Sequence, residues 1–316
     1  MYINAIGYYI PDQRISNEYF KDINGLDANW IYQRTGILTR SRATEDETMD
    51  YMCTEAVLKA LPLLPYKETD IDLIIFASYT LSDTIGTTAH VIQRQFEMRK
   101  AKAFQISSAC SSAVNAMEVI QSFFQTGIAT KALLICAERN STYSDDKDSM
   151  SGHLWGDAAT AYFFSSERYS EDELRVVDIT TQGLAHIGHG PEAVTLDLTS
   201  GDLRMPYGKD VFMRACTYLV QNTKDILDRN GYAVNDLSYF IGHQANKRII
   251  SHVLKELDIS DDKTMTNIEE LGNTGSTSAL LVLAQNYDKI QENDLVCLSV
   301  FGGGYSAGTC LLLKDC

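Results

Sequence analysis

The chain has no run of basic residues. Its 27 Lys and Arg stand against 42 Asp and Glu, a net charge of -15. That balance repels polyanions, which argues against nucleic acid as a general partner. No apolar stretch reaches the roughly 18 residues that a membrane-spanning helix needs. No CxxC pair occurs, and the seven cysteines (Cys53, Cys110, Cys136, Cys216, Cys297, Cys310, Cys316) follow no regular spacing. This speaks against a disulfide framework and for reduced thiols in a cytoplasmic protein. His186 and His189 have no cluster of cysteine or acidic ligands around them, so no metal site is expected. The opening segment, MYINAIGYYIP, lacks the basic region of a secretory leader and reads as a first strand.

What the chain does have is core. Hydrophobic residues make up 45% of 316, enough for two domains or one large double one. Apolar runs predict strands over 1–10, 73–78, 103–106, 132–137, 161–165, 174–180, 237–241, 295–300 and 309–313. Helical periodicity marks 17–24, 48–61, 84–94, 113–127, 207–230, 247–257 and 277–287. Continuous apolar strands alternating with helices predict an α/β fold of mostly parallel sheets covered on both faces. DIDLIIFAS at 70–78 looks like VNDLSYFIG at 234–242, and KALLICA at 131–137 looks like DLVCLSV at 294–300. An internal duplication is therefore expected, with halves 1–170 and 171–316.

The chemistry is expected around Ala103 to Gly127, AFQISSACSSAVNAMEVIQSFFQTG. A buried strand leads into small residues. Then Ala113, Met117, Ile120 and Phe124 recur at helical spacing, and Gly127 fits a C-terminal cap. Cys110 thus sits at a strand-to-helix turn, where free N–H groups and the helix dipole favour a thiolate. His243 and Asn246 (IGHQAN, 241–246) follow another apolar run, and Asn273 lies in a Gly/Ser/Thr turn, LGNTGSTS, at 271–278. A cysteine at a helix start, with His and Asn on separate loops, amounts to a nucleophile and two hydrogen-bond donors.

These motifs, with WIYQRTGI at 30–37, WGDAATA at 155–161, HQANKRI at 243–249 and FGGGYSAG at 301–308, carry a resemblance over nearly the whole chain. It resembles the ketoacyl-acyl carrier protein synthase III group of the thiolase superfamily. The resemblance implies a thiolase fold, two duplicated halves in a five-layer αβαβα arrangement. It implies a condensing enzyme without cofactor, in which Cys110 takes an acyl group from a thioester. Decarboxylative condensation with a malonyl- or β-ketoacyl-carrier-protein thioester follows, in fatty acid initiation or a specialised lipid or polyketide pathway. The N–H groups of Cys110 and Gly303 would form the oxyanion hole, and His243 and Asn273 would stabilise the enolate. Thiolases place a second Cys, and elongating ketosynthases a second His, where this chain has neither. Trp30, Arg34, Phe212 and Asn246 match the channel for the phosphopantetheine arm. Ile85 and Gly86 match the segment that lines the acyl pocket of the other subunit in a homodimer. Lys209, Arg214, Lys247, Arg248 and Lys255 could form a docking patch for an acidic acyl carrier protein. The loop 148–151 lacks an Arg that many members offer to adenine. Two other readings fit the same cysteine, a Cys-dependent acyltransferase without condensation and an inactive dimer partner of a condensing enzyme.

Overall fold

The structure is a computed structural model and describes residues 1–197 and 199–315. In the first half, β1 (Tyr2–Tyr9) is followed by a short hairpin, β2 (Arg14–Ser16) with β3 (Thr39–Ser41), which encloses α1 (Glu18–Asn24) and α2 (Ala28–Thr35). Then come α3 (Met49–Ala60), β4 (Leu73–Ala77), α4 (Thr88–Gln95), β5 (Lys102–Ile106), α5 (Ser112–Gln125), β6 (Lys131–Arg139) and β7 (Asp157–Ser165). The second half runs β8 (Leu174–Gly183), a small hairpin of β9 (Thr195–Asp197) and β10 (Asp202–Arg204), α6 (Gly208–Arg229), β11 (Tyr239–Gly242), α7 (Lys247–Leu257), α8 (Ile268–Leu271), α9 (Ser278–Gln285), β12 (Leu295–Phe301) and β13 (Ser306–Leu313).

Nine strands hydrogen-bond in the order β11-β12-β13-β8-β1-β7-β6-β4-β5. Read outward from the centre, each half repeats the other: β1-β7-β6-β4-β5 against β8-β13-β12-β11, with a lone bridge from Phe240 to Thr264 in the place of β5. Within the sheet the halves are joined where Tyr2 and Ile3 of β1 pair with Arg175 and Leu174 of β8. The two look-alike pairs of the sequence fall on β4 and β11, and on β6 and β12.

Three apolar layers fix the order of the stack. The middle one gathers Ala113, Met117 and Ile120 of α5 with Leu280 and Leu283 of α9, between strands of both halves. Outside the first half, Met52, Ala56 and Val57 of α3 pack with Ile92 of α4. Outside the second, Leu219 and Ile226 of α6 pack with Ile250, Val253 and Leu254 of α7. Helix, sheet, helix, sheet, helix is the resulting order, the five-layer arrangement of the thiolase fold. Local signals set the helix starts. Thr48 caps α3 by accepting the Tyr51 N–H, and Asp27 caps α2 by accepting that of Trp30.

Three expectations are corrected. The sheet is mixed: β4–β5, β4–β6 and β11–β12 are parallel, and the other five pairings are antiparallel. All nine residues of β7 are buried although both its neighbours run the other way. An unbroken apolar strand reports cover on both faces, not direction. Direction follows from connections, and no α-helix separates β12 from β13 or β6 from β7. Second, β5 is not a buried central strand but the edge of the sheet, with Lys102 exposed and the rest half-buried. Third, α4 begins at Thr88 rather than near 84. Asp83 takes up the preceding residues in a turn, its Oδ1 accepting the Ile85 N–H at 2.7 Å and the Gly86 N–H at 2.6 Å.

Candidate active site

Cys110 occupies the turn between β5 and α5, as the small residues around it require. Ser112 Oγ accepts the Ser108 N–H at 2.7 Å and donates to Ala109 O at 2.6 Å, which ties the turn. Ala109 is left-handed at φ +47°, a conformation strained for any residue with a Cβ and found where surroundings enforce it. Across the turn lies the loop after β12. A Cβ at Gly302 would stand 2.6 Å from Cys110 N, so only glycine lets the two loops meet.

The thiol does not have the character expected of it. The N–H groups of Gly303 and of Cys110 itself hydrogen-bond towards it and draw its pKa down. Burial, together with the negative charge of Glu138, outweighs them and pushes the thiol up to about 12. The helix start alone would lower it. The correction is that Cys110 is 8% exposed, and desolvation penalises the anion more than those donors favour it.

His243 follows β11 and is 5% exposed. Burial lowers its pKa to about 4, so the imidazole is neutral near pH 7. Its Nδ1 lies 2.7 Å from Ser278 Oγ, at the start of α9. With that hydroxyl donating to Nδ1, the ring proton stands on Nε2, available as a donor. Asn273 is held on every side. Its N–H donates to Leu154 O at 2.8 Å, its carbonyl accepts the Gly156 N–H at 2.9 Å, and its Oδ1 accepts the Gly275 N–H at 3.0 Å. With Oδ1 engaged, Nδ2 is left to donate.

One carboxylate escaped the sequence reading. Glu138, near the end of β6, is fully buried and accepts from Ser78 Oγ, Tyr79 N and Thr80 N as well as from the Thr80 and Ser276 hydroxyls. It joins the loop carrying Asn273 to the loop carrying Tyr79. A Cβ at Gly275 would stand 2.3 Å from the Tyr79 hydroxyl and 2.9 Å from Glu138 Cγ. Desolvation raises the Glu138 pKa to about 7 against the pull of those hydrogen bonds. The signal was an acidic residue closing the otherwise apolar run KALLICAE.

Cys110 stands between two cavities. A narrow one, about 30 Å³, is bounded by Cys110, His243, Asn273, Gly303, Trp155 and Phe301. It brings together the four residues singled out for chemistry. The other, about 700 Å³, opens beside Tyr79, Leu81, Asn115, Leu196 and Ser306. The predicted channel residues lie further out. Trp30 is 40% exposed, with the Arg34 guanidinium 5.2 Å from its ring centre. Asn246 caps α7, its Oδ1 accepting the Arg248 N–H and its Nδ2 donating to Arg34 O. Arg248 lies over Phe212, 5.6 Å from the ring centre. Of the docking cations, Lys247 is paired with Glu269 at 2.8 Å and Arg214 with Asp210 at 3.4 Å. Lys209, Arg248 and Lys255 are exposed and have no ion pair among the described residues. In the loop 148–151, Asp148 accepts the Ser151 hydroxyl at 2.6 Å, and Met150 is 63% exposed. Lys147 and Arg204 border the surface groove beside it. Ile85 is 86% exposed and lines neither cavity at Cys110 in this chain, and Gly86 packs on Gln105. The six described cysteines are unpaired, and Cys316 lies outside the described residues. No group of three or more His, Cys, Asp or Glu among the described residues could hold a metal, and no helix among them is long and apolar enough to cross a membrane.

Comparison with known proteins finds relatives along nearly the whole chain. The family model for 3-oxoacyl-[acyl-carrier-protein] synthase III matches residues 104–183, and that for its C-terminal part matches 227–314. The beta-ketoacyl-[acyl-carrier-protein] synthase III of a Chelativorans species is 33% identical over 318 residues, covering 98% of each chain. The crystal structure of the Aquifex aeolicus synthase superimposes with a TM-score of 0.91 at 31% identity, covering 99% of each chain. The priming β-ketosynthase of the R1128 polyketide pathway gives 0.89 at 26%, covering 99% of this chain and 96% of that one. The chain belongs to the 3-oxoacyl-[acyl-carrier-protein] synthase III family and is a condensing enzyme of the thiolase fold.

Proposed function

We propose that Cys110 is the acyl-carrying nucleophile of a two-step condensation, with His243 and Asn273 as the donors of its second step. In the first step Cys110 Sγ bonds to the carbonyl carbon of an acyl thioester. The carrier's C–S bond breaks, and the thiol proton of Cys110 leaves with the carrier's sulfur. The carbonyl oxygen becomes negative on the way, and the N–H groups of Cys110 and Gly303, now turned towards the sulfur, are near enough to receive it. A thiol held near 12 is mostly protonated at pH 7, so its ionisation accompanies attack.

In the second step a malonyl thioester loses CO2 as its carboxylate C–C bond breaks. The electron pair moves into an enolate, whose oxygen needs donors. A neutral His243 giving Nε2–H, and Asn273 giving Nδ2–H, suit that need. The enolate carbon then attacks the acyl carbon, a C–C bond forms, and the Cys110 thioester breaks to return the sulfur. The observation that carries this reading is that Cys110, His243 and Asn273 border one narrow cavity, with both donors oriented by a second contact. The test follows CO2 release from malonyl-carrier protein after acyl loading. Decarboxylation coupled to a new β-ketoacyl product supports condensation. Loading without either product would leave a plain acyltransferase, and no loading would leave an inactive partner.

We further infer an acyl carrier protein as partner, met by Lys209, Arg248 and Lys255, and a homodimer. The edge strand β5 has half-buried Phe104 and Ile106, and Ile85 projects beside it through the contact of Gly86 with Gln105. A second copy paired on that edge would cover these residues and bring its own Ile85 to the larger cavity. A cytoplasmic location fits the unpaired thiols.

A further inference from the structure

The larger cavity beside Cys110 has two unlike walls. One is apolar, formed by Leu81, Val194, Leu196 and Leu203. The other is polar, built from the start of α5 and the loop into β13. There Ser108 Oγ lies 2.7 Å from Ser306 Oγ, which lies 2.6 Å from Ser111 Oγ, which in turn donates to Asn115 Oδ1 at 2.7 Å. Ser111 also approaches Ser108 O, at 2.9 Å. These hydroxyls satisfy one another. Asn115 stands at the end of the row with only one end of its amide engaged, and its side chain borders the cavity. The free end has no partner among the described residues. Whichever end faces the cavity, a hydroxyl fits it, because a hydroxyl both donates and accepts. An alkyl chain would instead cover the amide and leave it unpaired. One turn further along α5, Glu118 accepts the Thr181 hydroxyl on the same side. Its negative charge disfavours a second carboxylate there.

We propose that this cavity selects an acyl group bearing a neutral hydroxyl, read by Asn115, rather than a plain alkyl chain or an acyl group ending in a carboxylate. This rests on Cys110 being the acyl carrier. The hydrocarbon part of the chain would lie on the leucine wall and the oxygen on the serine wall. A cavity of about 700 Å³ has room for such a group.

The experiment measures single-turnover loading of Cys110 by intact-protein mass. The probes are pantetheine thioesters of hexanoate, 3-hydroxyhexanoate, 6-hydroxyhexanoate, 3-oxohexanoate and adipate. At least one hydroxylated ester is expected to load about tenfold faster than hexanoate at equal low concentration, since covering the Asn115 amide with alkyl and leaving it unpaired costs that much or more. Asn115→Leu should erase or invert the ratio. Hexanoate or adipate loading as fast as every hydroxylated ester overturns the proposal. So does an Asn115→Leu enzyme with an unchanged ratio, or one whose oligomeric state changes, which would place Asn115 in an interface between copies. A 3-oxo ester that outruns both hydroxy esters also overturns it, in favour of a pure N–H donor at Asn115. If no ester loads Cys110 while iodoacetamide still labels it, the reading of the site itself falls, and this one with it. Uniform loading by all esters overturns this proposal and leaves the reading of the site standing.

Discussion

Four strands of each half repeat one another, β1, β7, β6 and β4 against β8, β13, β12 and β11, and the halves differ at the sheet edge and at the residues that border the narrow cavity. In the first half the central helix α5 begins just after a cysteine, and the sheet ends in β5, which pairs on one side only, with β4. In the second the central helix α9 begins at Ser278, which orients His243, and the sheet edge is closed by a single bridge at Thr264. In the proposed reaction one half offers the nucleophile and an open edge, and the other offers the two donors and an edge met by one bridge. If the proposed roles hold, a repeated scaffold that brings two helix starts to one centre needs only small changes at each to give them complementary chemistry.

The division can be broken most severely at the nucleophile. Cys110→Ala should abolish the acyl adduct and reduce condensation by about 10⁴-fold or more, because the covalent step has no substitute. Stoichiometric acylation of that variant, read by mass, would falsify the assignment. The donors come next. His243→Ala and Asn273→Ala should still load an acyl group but release CO2 from malonyl thioester about 100- to 1000-fold more slowly. If both halves of the reaction fall together, the division between halves is wrong.

A finer probe is Glu138, which lies between the two. Its charge raises the Cys110 pKa, so Glu138→Gln should lower it and leave more thiolate at a given pH. Alkylation of Cys110 at pH 8 should rise by up to about tenfold, as it would if the thiol titrated about one pH unit lower. A profile that stays in place or moves to higher pH would show that the carboxylate acts only as a tie between loops. The smallest effect concerns docking. Arg248→Glu should lower kcat/KM for an acyl-carrier protein about threefold to tenfold at low salt and much less at high salt, leaving pantetheine esters untouched. Salt-independent loss, or equal loss with pantetheine esters, would move Arg248 from the docking surface to the channel.

Much of the site was legible because its demands are local. A nucleophile needs small neighbours, and Ser107 to Ser112 supply them. Asn273 needs a turn that ties its Oδ1, and the glycines on either side write that turn. The helix start at Thr48 carries its cap with it. What stayed hidden is set by distant contacts. Nothing in Asp157 to Ser165 tells a strand which way its neighbours run. Nothing in Ala103 to Ile106 says that no further strand pairs beyond it. The thiol of Cys110 looked acidic from its helix and proved the reverse, because Glu138 and the depth of the fold come from elsewhere in the chain.

The joint at Tyr2 and Ile3 is thin, but the middle apolar layer belongs to neither half. Helix α5 of the first packs under β8 and β13 of the second, and α9 of the second under β1 and β7 of the first. Releasing either half would strip the other of one wall of its interior. The chain should therefore melt in one calorimetric transition, its measured enthalpy matching the van't Hoff value. Cutting the exposed link after β7 should leave the two pieces clasped until that same temperature.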